Sequence, residues 1–410
     1  MKISFFNMYE VLLYIIVILN LEVLNITSNL DNLAQSISVI LTFAVFLLYI
    51  VQKDKIVPKN FIVYFYLVSI FVYLGFEIIR LHYSSFSGLN ISNALSLEKN
   101  FFYILLTMPI FELLEKKKNN FLKNIVYIGL IVLVIRSIVW FLFNKFGINI
   151  MPGLFEVRGY NWTHGNGYVR LTGTFLDGLI YTFFGIKLFK TESYKERAYY
   201  GIIIFFLLFY SFEVYSSRSQ LICYLITILC IYIWNSKNKL HTTLNCLFGL
   251  ILVLIILQLP VAKNFIASFS SNDVTYGEGT MVRLLGKNFY QNEWQNNSIL
   301  FGFGIAEDGN YLGNTQYFLS DLGISSYIFE FGIVGFVLAL LPMLEGLKTG
   351  IKSIKTTDGL LLFSLSIYTI LSSFMSQNVY DYIRILIIPF ILGIILFVQY
   401  PQIGRKGMEE

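Results

Sequence analysis

Residues 122–143 read LKNIVYIGLIVLVIRSIVWFLF, and from Ile125 onward the only charged side chain in this stretch is Arg136. A hydrocarbon core about 30 Å thick needs roughly 17–25 apolar residues to be crossed by a helix. The run is continuously apolar, not alternating as a barrel strand would be, so it reads as a membrane-spanning helix. Four comparable runs precede it: Tyr9 to Leu24, Leu33 to Val51, Phe61 to Ile79 and Phe101 to Leu114. Seven follow: Leu171 to Phe189, Ala198 to Tyr215, Ser219 to Trp234, Leu244 to Leu259, Ile324 to Leu344, Gly359 to Met375 and Ile383 to Tyr400. The whole chain shares this character. Of its 410 residues 56% are apolar and only 13% charged, and the mean hydropathy is +0.67. Too little polar surface remains to clothe a water-soluble core, which excludes a soluble enzyme, a disordered chain and a nucleic-acid binder. The expected fold is an all-α integral membrane protein of about twelve transmembrane helices, with residues 1–410 forming a single polytopic domain.

Lysine and arginine set the orientation, because cytoplasmic loops carry their excess. One set of alternate loops and termini holds 19 of the 30, the other set 9, and Arg136 and Arg384 fall within predicted helices. The richer side is expected to be the cytoplasm, with both termini on it. The N-terminus lacks the small-residue cleavage pattern of a signal peptide, so the first helix is expected to stay. Cys223, Cys230 and Cys246 lie in apolar stretches without zinc-like spacing, and neither a disulfide nor a metal is expected. Two outer connections are long: Asn144 to Arg170, and Pro260 to Gly323 between the ninth and tenth helices. Long loops on a rigid scaffold are where function concentrates. Within the second, Met281 to Trp294 has a helical pattern that places Arg283, Lys287 and Gln291 on one face, suited to the membrane surface.

Arginine does not follow lysine. Of 21 lysines 17 are cytoplasmic, whereas only Arg197 and Arg405 of the nine arginines are. Arg80, Arg136, Arg158, Arg170, Arg218, Arg283 and Arg384 lie outside or within the membrane, against the topological preference. Guanidinium is the planar fork that grips phosphate or carboxylate oxygens in pairs. An arginine at the centre of a spanning helix costs about 2.5–3.5 kcal/mol on insertion scales, so Arg136 needs a compensating anion, which a lipid-linked phosphate would supply. Structural pairing is the competing explanation for any single arginine, since acids such as Glu77, Asp177, Glu213 and Asp381 are available on the same side.

Three motifs carry more specific chemistry. Arg170-Leu171-Thr172-Gly173-Thr174-Phe175 sets a cation before a glycine that permits close backbone approach. Tyr215-Ser216-Ser217-Arg218-Ser219 is a hydroxyl-rich turn opening a helix, suited to capping and to phosphate. The third series is Phe301-Gly302-Phe303-Gly304, Asn314-Thr315-Gln316-Tyr317-Phe318-Leu319 and Glu330-Phe331-Gly332-Ile333-Val334-Gly335.

In their order and spacing, over about the last two-thirds of the chain, these motifs resemble the Wzy-type O-antigen and capsular polysaccharide repeat-unit polymerases, relatives of the O-antigen ligases. The resemblance implies a GT-C-like glycosyltransferase of the bacterial plasma membrane. Its substrate would be an undecaprenyl-pyrophosphate-linked oligosaccharide, with membrane lipids and a chain-length regulator as further partners and no cofactor. Arg170 and Arg218 resemble the family's pyrophosphate-facing arginines, with Arg283 as a third and Lys287 beside it. The related ligases carry a histidine where Thr315 and Gln316 stand here, which favours polymerase over ligase. A sugar hydroxyl attacking an anomeric carbon profits from a proton acceptor, and the candidates are Asp308, Glu307 and Asp321, with Asp177 and Glu213 as alternatives within the membrane. Trp162 and His164 are candidate sugar contacts. No aspartate pair has metal-binding spacing, and the arginines could replace a metal's charge. A flippase is the rival of a different class. It would be expected to show two similar halves, and no internal repeat is evident.

The fork geometry makes a sharp prediction. Arg218→Lys should fail nearly as badly as Arg218→Ala in polymer synthesis, read as a sugar ladder on a gel. A full ladder from the lysine variant would remove the bidentate requirement.

Overall fold

The computed structural model describes residues 5–23, 27–52, 56–81, 91–117, 119–156, 159–160, 163, 167–236, 270, 277–296, 298–305, 317–375 and 377–406. Among them all regular structure is helical, apart from one isolated bridge between Thr163 and Val169. The helices in order are α1 (Phe5–Asn20), α2 (Ser28–Val51), α3 (Phe61–Leu81), α4 (Ile91–Glu98), α5 (Thr107–Lys117), α6 (Asn119–Phe146), α7 (Pro152–Glu156), α8 (Asp177–Lys190), α9 (Tyr194–Phe209), α10 (Arg218–Asn235), α11 (Gly277–Asn296), α12 (Ser325–Lys352), α13 (Thr357–Phe374) and α14 (Ile387–Lys406).

Among the described residues, seven helical stretches are long and apolar enough to cross a bilayer: Asn32–Val51, Phe61–Leu81, Asn120–Phe146, Tyr194–Val214, Arg218–Asn235, Ser325–Lys352 and Thr357–Phe374. Met8–Asn20 and Ile387–Tyr400 are apolar but shorter. The outer surface of these helices is as apolar as the inside. Ile40, Leu47, Val68, Val72, Ile202 and Phe205 are all exposed, while Arg136, Glu77, Glu112 and Asp177 are buried. A bundle whose polar groups face inward and whose hydrocarbon faces outward is suited to lipid, and the protein is a multi-pass membrane protein.

Several expected spans take a different local form. The Phe101 to Leu114 run is a 3₁₀ segment, Lys99–Leu106, that continues into α5. Pro109 sits in the first turn of α5, where a missing N–H removes no intrahelical bond. The run from Leu171 becomes helical only at Asp177, and the run from Ile383 only at Ile387. Arg384 therefore lies in an irregular turn ahead of its helix instead of within it. The expected ninth span, Leu244 to Leu259, falls outside the described residues.

The glycine series has a backbone explanation. α12 is broken at Gly332, which has φ 64° and ψ −167°. A break leaves amides and carbonyls that apolar surroundings cannot satisfy. Segment 299–304 supplies the partners. Phe303 and Gly304 donate their N–H groups to Phe329 O and Glu330 O at 2.8 Å, while Ile333 and Val334 donate to Ile299 O and Leu300 O at 3.2 Å. The Tyr73 hydroxyl donates to Phe331 O at 2.6 Å. Two turns further along α3, Arg80 donates to Phe301 O at 2.8 Å and pairs with Glu77 at 2.9 Å. The two backbones cross where neither can carry a side chain: a Cβ on Gly332 would lie 2.3 Å from Leu300 O, and one on Gly302 2.4 Å from Phe329 O. Below the crossing, Tyr290 and Trp294 of α11 pack with Phe303, Leu319 and Phe329 in a small core separate from the main one.

Gly332→Ala is accordingly expected to destabilise the protein by more than the roughly 1–2 kcal/mol of a left-handed backbone alone, because the methyl meets a carbonyl. The melting temperature in detergent should fall by several degrees or the protein should fail to accumulate. Gly279→Ala, which has open space around it, is the control expected to behave as wild type.

Candidate functional site

Three irregular segments meet: 170–176, 215–217 and 377–386. The middle one is shaped by the end of α9, which widens into a π turn over Tyr210–Val214. Tyr215 N–H then bonds Tyr210 O at 2.9 Å and Ser217 N–H bonds Ser211 O at 3.0 Å. Ser216 is held at φ 51°. Left-handed backbone at a non-glycine residue is uncommon and collects at functional positions. Ser217 caps α10, its hydroxyl accepting the Gln220 N–H at 3.3 Å, and Arg218 is the first residue of that helix.

The other two segments dock on this turn. Leu171 N–H bonds Val214 O at 3.0 Å, and Arg170 Nη1 reaches Ser216 O at 3.4 Å. From the third segment, Arg384 Nη2 donates to the Tyr215 hydroxyl at 2.8 Å, and its Nη1 donates to Asp381 Oδ2 at 3.2 Å. Gln377, also buried, donates its amide to Ser217 Oγ at 2.6 Å and to Ser219 Oγ at 3.2 Å. Arg170 and Arg384 thus reach the turn that leads into Arg218, at the N-terminal, partially positive end of α10.

Asp177 forms the floor. It is 2% exposed and accepts the Thr174 N–H at 2.9 Å and the Gln220 amide at 3.0 Å. Its second oxygen takes the Thr174 hydroxyl. Gln220 also meets the hydroxyls of Tyr224 and Tyr368. Held by these three bonds, Asp177 anchors the 174 loop. Gly173 lies at the junction: a Cβ there would sit 3.0 Å from Asp177 Oδ2, 3.1 Å from Tyr215 Cε1 and 3.2 Å from Arg384 Nη2. A small hollow, with room on the order of a single water molecule, extends from Arg384 between Thr174, Gly178, Tyr368 and Ser372. Chemically, this arrangement offers guanidinium donors, hydroxyls and a helix N-terminus to an anion, with a buried carboxylate holding the frame in place.

The structure brings Arg170 and Arg218 together and adds Arg384, which sequence reading had assigned to a helix interior. Arg283 takes another place. On α11 it pairs loosely with Asp321 at 4.0 Å, with side chains 46% and 43% exposed, and Lys287 is exposed one turn further on. Asp321 is therefore tied to Arg283, not to the turn that bears Arg218. Glu307, Asp308, Trp162, His164 and Arg158 lie outside the described residues. Arg136 is corrected as well: the anion that compensates it is Glu22, at 3.1 Å, not a lipid phosphate. Arg80 is bound up with Glu77 and the 301 carbonyl. Gln377 was not singled out, Tyr215 stood in the hydroxyl-rich motif without a role of its own, and Arg384 was assigned to a helix because Ile383, Ile385 and Leu386 made its surroundings look like the start of a span. The turn-forming Asn378 and Asp381 just before them were the available signal. No protein-family model matches the chain, and a search of curated proteins returns no match either.

Gly173→Ala tests whether the junction matters to an anion. The added methyl presses on Asp177, Tyr215 and Arg384, which must give slightly, so affinity for inorganic pyrophosphate should fall about tenfold, while the melting temperature stays within a few degrees of wild type. Unchanged affinity in the variant would separate Gly173 from anion binding.

Proposed function

We propose that the protein is a polysaccharide repeat-unit polymerase of the bacterial plasma membrane. On this reading it has about twelve spans, both termini in the cytoplasm, and the 260–323 connection on the outer side. It transfers a growing glycan from undecaprenyl pyrophosphate onto a lipid-linked oligosaccharide repeat unit at the outer face. The observation that carries the reading is the gathering of Arg170, Arg218 and Arg384 on one turn inside a lipid-suited bundle. A diphosphate joined to a lipid tail and a sugar is a ligand that calls for both features.

The acceptor sugar's hydroxyl attacks the anomeric carbon of the donor glycan. The bond from that carbon to the pyrophosphate oxygen breaks, and the electron pair leaves on the phosphate. Guanidinium groups that meet the oxygen as its charge develops lower the barrier, and removing one such donor typically costs 10²–10³ in rate. The hydroxyl proton passes to a carboxylate, for which Asp308 and Glu307 of the long loop are the candidates. Asp321 is the less suited of the three, being engaged with Arg283. Trp162 and His164 are candidate sugar contacts. The arginines would provide the charge stabilisation that a divalent cation provides elsewhere.

Two rivals make different products. A ligase passes finished glycan to a separate acceptor, and a flippase changes no covalent bond. Purified protein in vesicles, given one lipid-linked repeat unit and nothing else, is expected to lengthen it, and Arg384→Gln should lower the rate at least about a hundredfold. Elongation only after a second acceptor is added would favour the ligase, and movement across the bilayer without elongation the flippase.

A further inference from the structure

Arg136 and Glu22 combine three unfavourable features at one point. Arg136 is fully buried in the middle of α6, where an unpaired guanidinium is expensive. Glu22 follows the end of α1 at φ 57°, in the left-handed position after a helix where glycine is the usual residue. It also places a negative charge beside the partially negative C-terminus of that helix. A glycine at 22 and an apolar residue at 136 would remove all three at once, and replacing both members of a buried ion pair in that way is commonly neutral or better for stability.

The contacts indicate what the pair holds. Arg136 Nη1 donates to Leu21 O and Glu22 Oε2, each at 3.1 Å. Its Nη2 donates to Thr172 O at 2.7 Å and to Thr172 Oγ1 at 2.9 Å. The Thr172 hydroxyl in turn donates to Glu22 Oε2 at 2.8 Å, and the Tyr210 hydroxyl reaches Thr172 O at 3.3 Å. Thr172 is gripped through both its carbonyl and its hydroxyl. Two residues to one side is Arg170, and the next residue on the other is Gly173, against Arg384. The second anchor of this loop is Thr174, held by Asp177.

We propose that the Glu22–Arg136 pair is a positioning device: it fixes Thr172, and through it sets Arg170 and Gly173 against the turn at 215–218. Its importance for catalysis rests on the polymerase reading, but the positioning itself does not. Neither residue touches the hollow beside Arg384; they act through Thr172. The alternative is a plain structural tie between α1 and α6, with Thr172 incidental.

The experiment has two arms. The double variant Glu22→Gly with Arg136→Met removes the pair without stranding a charge, and amide hydrogen exchange by mass spectrometry reads its consequence in detergent. The expected result is exchange at least about tenfold faster across 170–177, with the melting temperature held. Faster exchange confined to α1 and α2, or no change at 170–177, overturns the proposal whatever reaction the protein performs. The second arm compares Thr172→Val with Thr172→Ser, which stay informative should the double variant not fold. Valine is expected to loosen 170–177 and, if the polymerase reading holds, to lower kcat by about tenfold or more; serine is expected to restore both. A valine variant indistinguishable from serine in exchange would also overturn it. Loss of elongation by every form, wild type included, together with the expected exchange pattern, would sink the polymerase reading and leave the positioning role standing.

Discussion

Within hydrocarbon a backbone amide or carbonyl has no water to turn to, and each one left without a partner costs several kcal/mol. Three departures from continuous helix among the described residues are shaped by that constraint. The break in α12 survives because a neighbouring strand of backbone returns the bonds the helix loses, with Tyr73 and Arg80 closing the remainder. The 170–176 segment survives because Leu171, Thr172 and Thr174 each find a partner on a different element. The same holds for 377–386, where Gln377 and Val379 bond to Ser372 O and Ser373 Oγ at the end of α13. Irregular backbone supported in this way is where a membrane protein can present polar groups inward, and it is where three arginines meet.

The arginines divide by what surrounds them. Arg80 and Arg136 serve the backbone, one at a helix break and the other at a helix end, and each has its own carboxylate. Arg170 and Arg218 share their turn with Arg384, whose carboxylate, Asp381, comes from the same turn of chain. Charge alone would not separate these groups. Arg80 and Arg136 end on a distant element's carbonyls, whereas Arg170 ends on the Ser216 carbonyl and Arg384 on the Tyr215 hydroxyl, both of the one turn that leads into Arg218.

Membrane character and most of the helices were legible in the sequence, since apolar runs as long as 122–143 admit few other structures. Arg170 and Arg218 stood out too, through the sorting of arginine from lysine and the glycine and serines beside them, and Arg170 reaches the turn that leads into Arg218. The glycine series at 302, 304 and 332 was recognisable as a pattern, but its meaning depends on a contact between segments about thirty residues apart that no local rule reveals. Arg384 was obscured by its apolar neighbours, and Glu22 had no signal at all: a glutamate in the place of a helix-ending glycine is visible only once its φ is known. For Arg283 the pairing with Asp321 was equally out of reach, because side-chain type identifies what can bind an anion but not which elements the fold brings together.

The crossing of 299–304 with 329–334 has a consequence for how such a chain can change over time. Both strands are fixed in register by amides that alternate in direction, and both touch through residues without a Cβ. Inserting or deleting one residue in either would shift the pairing, expose amides to lipid and drive a side chain into a carbonyl. Length variation near this point is therefore confined to the stretches on either side, and the two short segments can be expected to evolve as one unit although they are far apart in the chain.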